Sequence, residues 1–258
     1  MSRVRAVVNR RHRCGVNALF IGLALVTAFA GRATAEPLQV IAADKTELSI
    51  EVMPAKGRRL ALWLPSELGL TRADARIARE LAARHGIEVW LADLHGARFL
   101  APLPSSLNEI PDSDLVRLAQ AARKIKSEVV IVTALRGAAL ALRALKATPD
   151  VRGAVLLSPN LYAGGAEIGE DPPLSPLTTH VSQPLFIIQA QRSPRYFALA
   201  RLTDELRRGG ARVQSQVIAQ ARDRFYFRDD ATALERRASA ALPATMAKAI
   251  ATVLGDAK

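Results

Sequence analysis

Imidazole and hydroxyl side chains are the first candidates for chemistry in this sequence, because a histidine beside a serine can activate it as a nucleophile. Ser158 follows an apolar run and begins a Ser-Pro pair, and Ser193 begins another such pair. Neither serine has a histidine at a spacing that indicates a base. We therefore predict that both hydroxyl groups help to form turns.

The histidines that follow residue 35 are His85, His95 and His180. His95 forms an Asp-x-His pair with Asp93 where a strand is expected to end, which is a place where open α/β sheets bind ligands. This pair has either a binding role or a structural one. His85 precedes a helix-ending glycine, which favours helix capping, and His180 lies in a predicted loop.

Cysteine and metal chemistry are not predicted. Cys14 is the only cysteine, and the histidines form no cluster with the spacing of metal ligands. The sequence therefore indicates no metal site, no disulfide and no cofactor.

The elements that would position these residues alternate between short β-type runs and amphipathic helical segments. Strands are predicted at 47–53, 60–64, 87–92, 129–132, 151–157, 185–190 and 213–218, the first of them in an early antiparallel pair. Helices are predicted at 71–86, 111–125, 138–145, 196–208 and 231–254, the last broken or bent at Pro243. This alternation predicts a single α/β domain with one doubly wound, mostly parallel sheet and helices on both faces.

The first 35 residues have the pattern of a secretory signal. Arginines precede an apolar run at 18–30, which is shorter than the roughly 20 residues of a membrane span, and Ala33-Thr34-Ala35 provides a small-x-small exit. We predict a signal peptide at 1–35, a domain at 36–258, and a periplasmic or secreted protein with no stable membrane insertion after cleavage. An uncleaved membrane anchor is the alternative, and Arg10-Arg11 leaves Sec and twin-arginine export both open.

The positive charge of the chain belongs partly to this leader. The chain has 36 basic and 24 acidic residues, and six of the arginines lie before residue 36. The remaining surplus of six is spread without a block of like charge. Nucleic-acid binding requires a basic stripe or a stacking platform, so it is not predicted.

The order of the elements and several local phrases resemble the α/β-hydrolase superfamily. The segment 77–96 ends in Ala92-Asp93-Leu94-His95-Gly96, where the family has a PDLRG-type phrase. Residues 129–141 resemble the strand, nucleophile elbow and helix of the family, and 155–160 and 184–190 resemble the next two strands. The resemblance covers nearly all of 36–258 and implies the α/β-hydrolase fold with a short or absent lid.

The same resemblance implies that the catalytic triad is missing. The pattern G-x-S-x-G, which places serine on a strained turn, falls on 133–137, so Leu135 takes the place of the nucleophile. Arg224 stands where the family histidine belongs, and 191–194 contain no acid where one is expected. Leucine has no lone pair to attack a carbonyl, so no catalytic residue is expected here. We also predict that Leu135 is at least half buried.

Arginines are expected in the loops at this edge of the sheet. Arg136 precedes a predicted helix whose N-terminus favours an anion, and guanidinium groups bind carboxylate or phosphate groups well. The predicted ligand-binding residues are Arg136, Arg192, Arg224, His95 and Asp93. The alternative is that these loop arginines pair with Asp93, Asp223, Asp229 or Asp230 and only hold the loops in place.

Two functional hypotheses remain. The first is an exported, non-catalytic α/β-hydrolase-like protein that binds a small anionic ligand or a protein partner. The alternative is an esterase-type serine hydrolase with relocated catalytic residues, using Ser158 or Ser193 with His95 or His180.

Overall fold

The computed structural model describes residues 37–164 and 172–256. The predicted signal peptide, 1–35, lies outside the described residues, as does 165–171 in the predicted connection at 159–183. Among the residues described, none of the helices has both the length and the apolar character needed to span a membrane.

Eight strands form one sheet within these residues, in the order β1-β2-β4-β3-β5-β6-β7-β8. Their bounds are β1 Leu38–Ile41, β2 Glu47–Met53, β3 Arg59–Trp63, β4 Glu88–Ala92, β5 Glu128–Ala134, β6 Ala154–Leu157, β7 Leu185–Ala190 and β8 Val213–Ile218. β2 pairs antiparallel with both β1 and β4, whereas the strands from β3 to β8 pair in parallel. The prediction of a mostly parallel sheet is confirmed.

The apolar runs form strands because both faces of the sheet are covered. Every residue of β4, β6 and β7 is buried, as expected for strands of a parallel sheet. Successive residues point to opposite faces, so Ile131 packs in one core while Val130 and Val132 pack in the other. The two cores are separated only by the sheet.

Helices cover the two faces. Their bounds are α1 Arg72–His85, α2 Leu94–Ala97, α3 Ser106–Glu109, α4 Asp112–Ile125, α5 Ala138–Ala147, α6 Leu199–Arg208 and α7 Ala233–Leu254. Apolar side chains of α4, α5 and α6 belong to one core, and those of α1 and α7 belong to the other. The predicted doubly wound architecture is therefore confirmed.

Local sequence signals determine where α1 begins and ends. Thr71 and Asp74 form a capping box, in which each side chain accepts a hydrogen bond from the backbone of the other. Gly86 ends the helix with φ +63°, in the left-handed region that glycine adopts without steric cost. Both signals were readable in the sequence.

Two predicted helices differ from the structure. α7 runs without interruption through Pro243, so the helix is not broken there, and a bend at this residue stays a prediction. Proline removes one backbone donor, but Leu242, Met246 and Ile250 are fully buried against the sheet and hold the helix together. The helix predicted from residue 196 begins at Leu199, because Pro194–Tyr196 forms a separate 3-10 turn.

The ends of β3 and β5 approach each other closely. A Cβ atom on Gly137 would lie 2.5 Å from the carbonyl oxygen of Pro65 and closer still to the hydroxyl of Thr133. Gly137 has an ordinary helical φ of −55°, so the position requires glycine for space and not for its backbone conformation. The chain after β3 and the chain after β5 therefore leave the sheet side by side.

We expect Gly137→Ala to lower the free energy of unfolding by about 1–3 kcal/mol, because the added methyl group overpacks this contact. The double variant Thr133→Ala/Gly137→Ala should recover only part of the loss, since the Pro65 carbonyl remains in place. Urea denaturation measures both effects. A Gly137→Ala protein as stable as the wild type would show that the two strand ends can separate.

Candidate functional site

The turn between β5 and α5 keeps the backbone of a nucleophile elbow but carries leucine. Leu135 has φ +53°, in the left-handed region that a leucine rarely adopts. Its side chain is only 4% exposed, so the prediction that it is at least half buried is confirmed. The position to which the resemblance assigns the nucleophile is therefore a buried leucine.

The loop after β3 contacts the residue that follows the elbow. The backbone N–H of Arg136 donates a hydrogen bond to Oε2 of Glu67, with 2.9 Å between nitrogen and oxygen. Glu67 and Arg136 are 69 positions apart in the sequence, and no local signal links them. The contact depends on the close approach of the two strand ends.

The loop after β8 supplies the other side of the site. Arg224, at the family histidine position, is exposed and has φ +59°. The neighbouring Tyr226 is buried, and this burial raises the pKa of its hydroxyl well above the ordinary value. The charges of Asp74, Glu67 and Asp223 raise that pKa further, while Arg224 lowers it. The charges of three acidic side chains therefore raise the pKa of the buried Tyr226 hydroxyl.

Asp93 and His95 do not form a hydrogen-bonded pair. Asp93 is exposed and caps α2, where its Oδ1 accepts the N–H of Gly96 at 3.0 Å. His95 is 3% exposed, and neither ring nitrogen has a hydrogen-bond partner among the residues that the structure describes. Burial lowers the pKa of His95, and the charge of Asp93 opposes this shift. Helix capping thus accounts for the position of the Asp93 carboxylate.

Three of the loop arginines are bound to carboxylates. The Nε and Nη2 atoms of Arg222 donate to the two carboxylate oxygens of Glu235 at 2.8 and 2.7 Å. Arg195 pairs with Asp223, and Arg98 pairs with Asp44 and Asp114. Arg222 also lowers the pKa of Glu235. For these arginines the loop-holding alternative is correct.

The three predicted ligand-binding arginines behave differently. Among residues 37–164 and 172–256, no ion pair involves the guanidinium group of Arg136, Arg192 or Arg224. Arg136 is half-buried and lines a cavity of about 290 Å³. Arg224 lines a different cavity of about 350 Å³ beside Asp229 and Asp230, and Asp93 lines a third, of about 510 Å³. The structure therefore does not gather these residues around one cavity, and ligand binding stays a prediction.

Both alternative nucleophiles accept backbone hydrogen bonds, Ser193 within the predicted turn and Ser158 from the end of β7 instead of within a turn. Ser158 Oγ accepts the N–H of Ala190 at 3.3 Å, and Ser193 Oγ accepts the N–H of Arg195 at 3.1 Å. His180 is exposed. In the described part of the chain, no serine is hydrogen-bonded to an imidazole ring, and no three potential ligands are grouped for a metal ion.

Comparison with known proteins gives structural relatives only. No family model matches the chain, and no curated protein matches it. A putative dienelactone hydrolase from Klebsiella pneumoniae superposes with a TM-score of 0.64 and 15% identity, covering 83% of this chain and 97% of the other. An esterase from Pyrobaculum calidifontis superposes with a TM-score of 0.64 and 17% identity, covering 85% of each chain.

A bacterial heroin esterase superposes with a TM-score of 0.60 and 16% identity, covering 85% of this chain and 84% of the other. Superpositions at such low sequence identity establish the fold of this chain and leave its activity open. The strand order, the left-handed elbow after β5 and these superpositions agree. The chain has the α/β-hydrolase fold.

Proposed function

We propose that this protein binds a small anionic ligand beside a nucleophile elbow that does not perform acyl transfer. The observation that carries the proposal is Leu135, which keeps the strained elbow backbone and is buried there. Next to it, Arg136 has a guanidinium group free of ion pairs within the described residues and lines a cavity. Anion binding is compatible with a leucine at the elbow and makes use of the Arg136 guanidinium group. Serine hydrolysis requires a hydroxyl group in place of Leu135 and has no need of that guanidinium group.

The cavity that Arg136 lines is called here the elbow cavity. Besides Arg136, its polar lining comes from Asn108, Asn160, Tyr162 and Ser175, and its apolar lining includes leucine side chains. No acidic residue lines it within the described chain. Its volume of about 290 Å³ is near the lower end of roughly 300–1,000 Å³ for ligand sites. Its chemistry suits a small carboxylate or phosphate with an apolar substituent.

A second candidate function is esterase-type hydrolysis with relocated catalytic residues. It is favoured by the structural relatives, which are named as esterases or a dienelactone hydrolase. Ser158 is its best nucleophile, because it follows β6 with φ +43°, in the left-handed region that an elbow requires. Hydrolysis by Ser158 requires its hydroxyl oxygen to give up the hydrogen bond from the Ala190 N–H. It also requires a base to approach the Ser158 hydroxyl.

We expect the wild-type protein to remain unlabelled by a fluorophosphonate probe and Leu135→Ser to show no turnover of aryl esters. The serine introduced by that change would lack a base, because Arg224 stands where the resemblance places the histidine, and the backbone donor beside the serine is already bound to Glu67. Mass spectrometry measures the labelling, and release of the aryl alcohol measures the turnover. Stoichiometric labelling of the wild type that disappears in Ser158→Ala would establish the second candidate instead.

We expect the ligand site to appear in thermal unfolding. A ligand at about a hundred times its dissociation constant stabilises a fold by roughly 2.7 kcal/mol, or about 5 to 10 °C for a domain of this size. Screening small carboxylates and phosphates at constant ionic strength should give such a rise in the wild type. Arg136→Ala should diminish the rise, because charge-assisted hydrogen bonds to the anion are lost.

Arg152→Ala is the matched control for this screen. Arg152 is exposed to solvent, whereas Arg136 is half-buried, and Arg152 lies before β6, at the opposite end of the strands. Arg152→Ala removes the same charge as Arg136→Ala, so general screening by salt acts equally on both variants. If Arg136→Ala and Arg152→Ala respond alike to every anion, the elbow cavity is not the binding site.

We further propose export, with cleavage between Ala35 and Glu36. The proposal is supported by the arginine-rich start, the short apolar run and the Ala33-Thr34-Ala35 exit. N-terminal sequencing of protein from the exported fraction should give Glu36 first. An intact leader in that fraction would favour the membrane-anchor alternative.

A further inference from the structure

The carboxylate of Glu67 occupies the backbone donor that follows the elbow. In hydrolases of this fold, one donor of the oxyanion hole is the N–H after the nucleophile, and the other comes from the loop after β3. Glu67 belongs to that second loop, and its Oε2 lies 2.9 Å from the amide nitrogen of Arg136. The loop therefore brings an acceptor to the place where a hydrolase holds an oxyanion.

The loop is shaped to keep Glu67 at this position. Ser66 Oγ accepts the N–H of Leu68 at 3.1 Å, and the N–H of Gly69 donates to the Ser66 carbonyl at 3.0 Å. Gly69 has φ +73°, which suits the tight turn. Pro65, on the other side, is held against Gly137. The backbone is thus fixed on both sides of Glu67.

The hydrogen bond to Glu67 has a reason on the side of the amide as well as on the side of the carboxylate. The Glu67 carboxylate gains a backbone donor at 2.9 Å, and hydrogen bonds to charged acceptors are the stronger ones. The bond therefore serves both partners, since the amide would otherwise have no acceptor within the helix.

We propose that Glu67 is an internal latch of the elbow. Its carboxylate satisfies the Arg136 N–H and excludes from that donor any oxyanion or carboxylate from outside the chain. The latch is thus an autoinhibitory contact and, besides Leu135, a second barrier to acyl transfer. It acts on the backbone donor, whereas the proposed ligand site uses the guanidinium group, so the two proposals stand or fall separately.

A thiol introduced by Leu135→Cys, in a Cys14→Ser background that leaves no other cysteine, can report on this donor. Attack on p-nitrophenyl acetate forms an S–C bond through a tetrahedral oxyanion and releases p-nitrophenolate, while the thiol proton passes to the buffer. Attack on iodoacetamide forms an S–C bond and releases iodide without an oxyanion. The ratio of the two rates therefore measures oxyanion stabilisation and cancels changes in thiolate fraction and access.

Adding Glu67→Ala should raise this ratio about tenfold or more, since a single oxyanion donor contributes on the order of 10²–10³ in rate. Glu80→Ala is the matched control, because it removes an equal charge from α1 at a side chain that pairs with Arg76 and Arg84. It should leave the ratio unchanged. A ratio that Glu67→Ala does not raise overturns the latch.

The Arg136 amide itself provides a test that does not depend on the thiol. In ¹⁵N–¹H spectra, sodium acetate at constant ionic strength should leave this amide resonance unmoved in the wild type and in Glu80→Ala. In Glu67→Ala it should shift and saturate, because acetate takes the vacated position. A wild-type amide that responds to acetate, or a Glu67→Ala amide that does not, contradicts the proposal.

Discussion

The parallel pairing of β3 with β5 brings the Pro65 carbonyl against Gly137, and the site depends on this close approach. Residue 137 must be glycine for this approach, since a Cβ would lie 2.5 Å from the carbonyl oxygen. Because parallel strands end at one edge of the sheet, the approach places Glu67 directly against the amide of Arg136. A polar contact between distant residues is thus a product of apolar strand packing.

Electrostatic pairing divides the arginines of this edge into two groups. Arg98, Arg195 and Arg222 are bound to carboxylates and fasten loops to neighbouring elements. Arg136 retains a half-buried guanidinium group beside a cavity without acidic lining residues in the described chain. The count of basic residues therefore says little about binding, because Arg98, Arg195 and Arg222 are neutralised locally.

Much of the fold was predictable because its signals are local. Apolar runs marked the buried strands, and Thr71, Asp74 and Gly86 marked both ends of α1. Contacts between distant residues were not predictable: nothing in the sequence pairs Glu67 with Arg136 or Arg98 with Asp44. At Pro243 the sequence left a break or a bend open, and the break does not occur because tertiary burial outweighs one lost hydrogen bond. Asp93 was read as a ligand residue although its short spacing to Gly96 also suits a helix cap.

The left-handed backbone at Leu135 makes a change from leucine to serine at this position costly. A non-glycine residue in this region carries a strain of roughly 1–2 kcal/mol, and full burial of a leucine side chain contributes about 1.5–3 kcal/mol. Leucine at 4% exposure therefore offsets the strain of the turn through its own burial. Serine would keep the strain and lose most of that compensation. In a lineage descended from this chain, selection for stability therefore opposes the appearance of serine at this position.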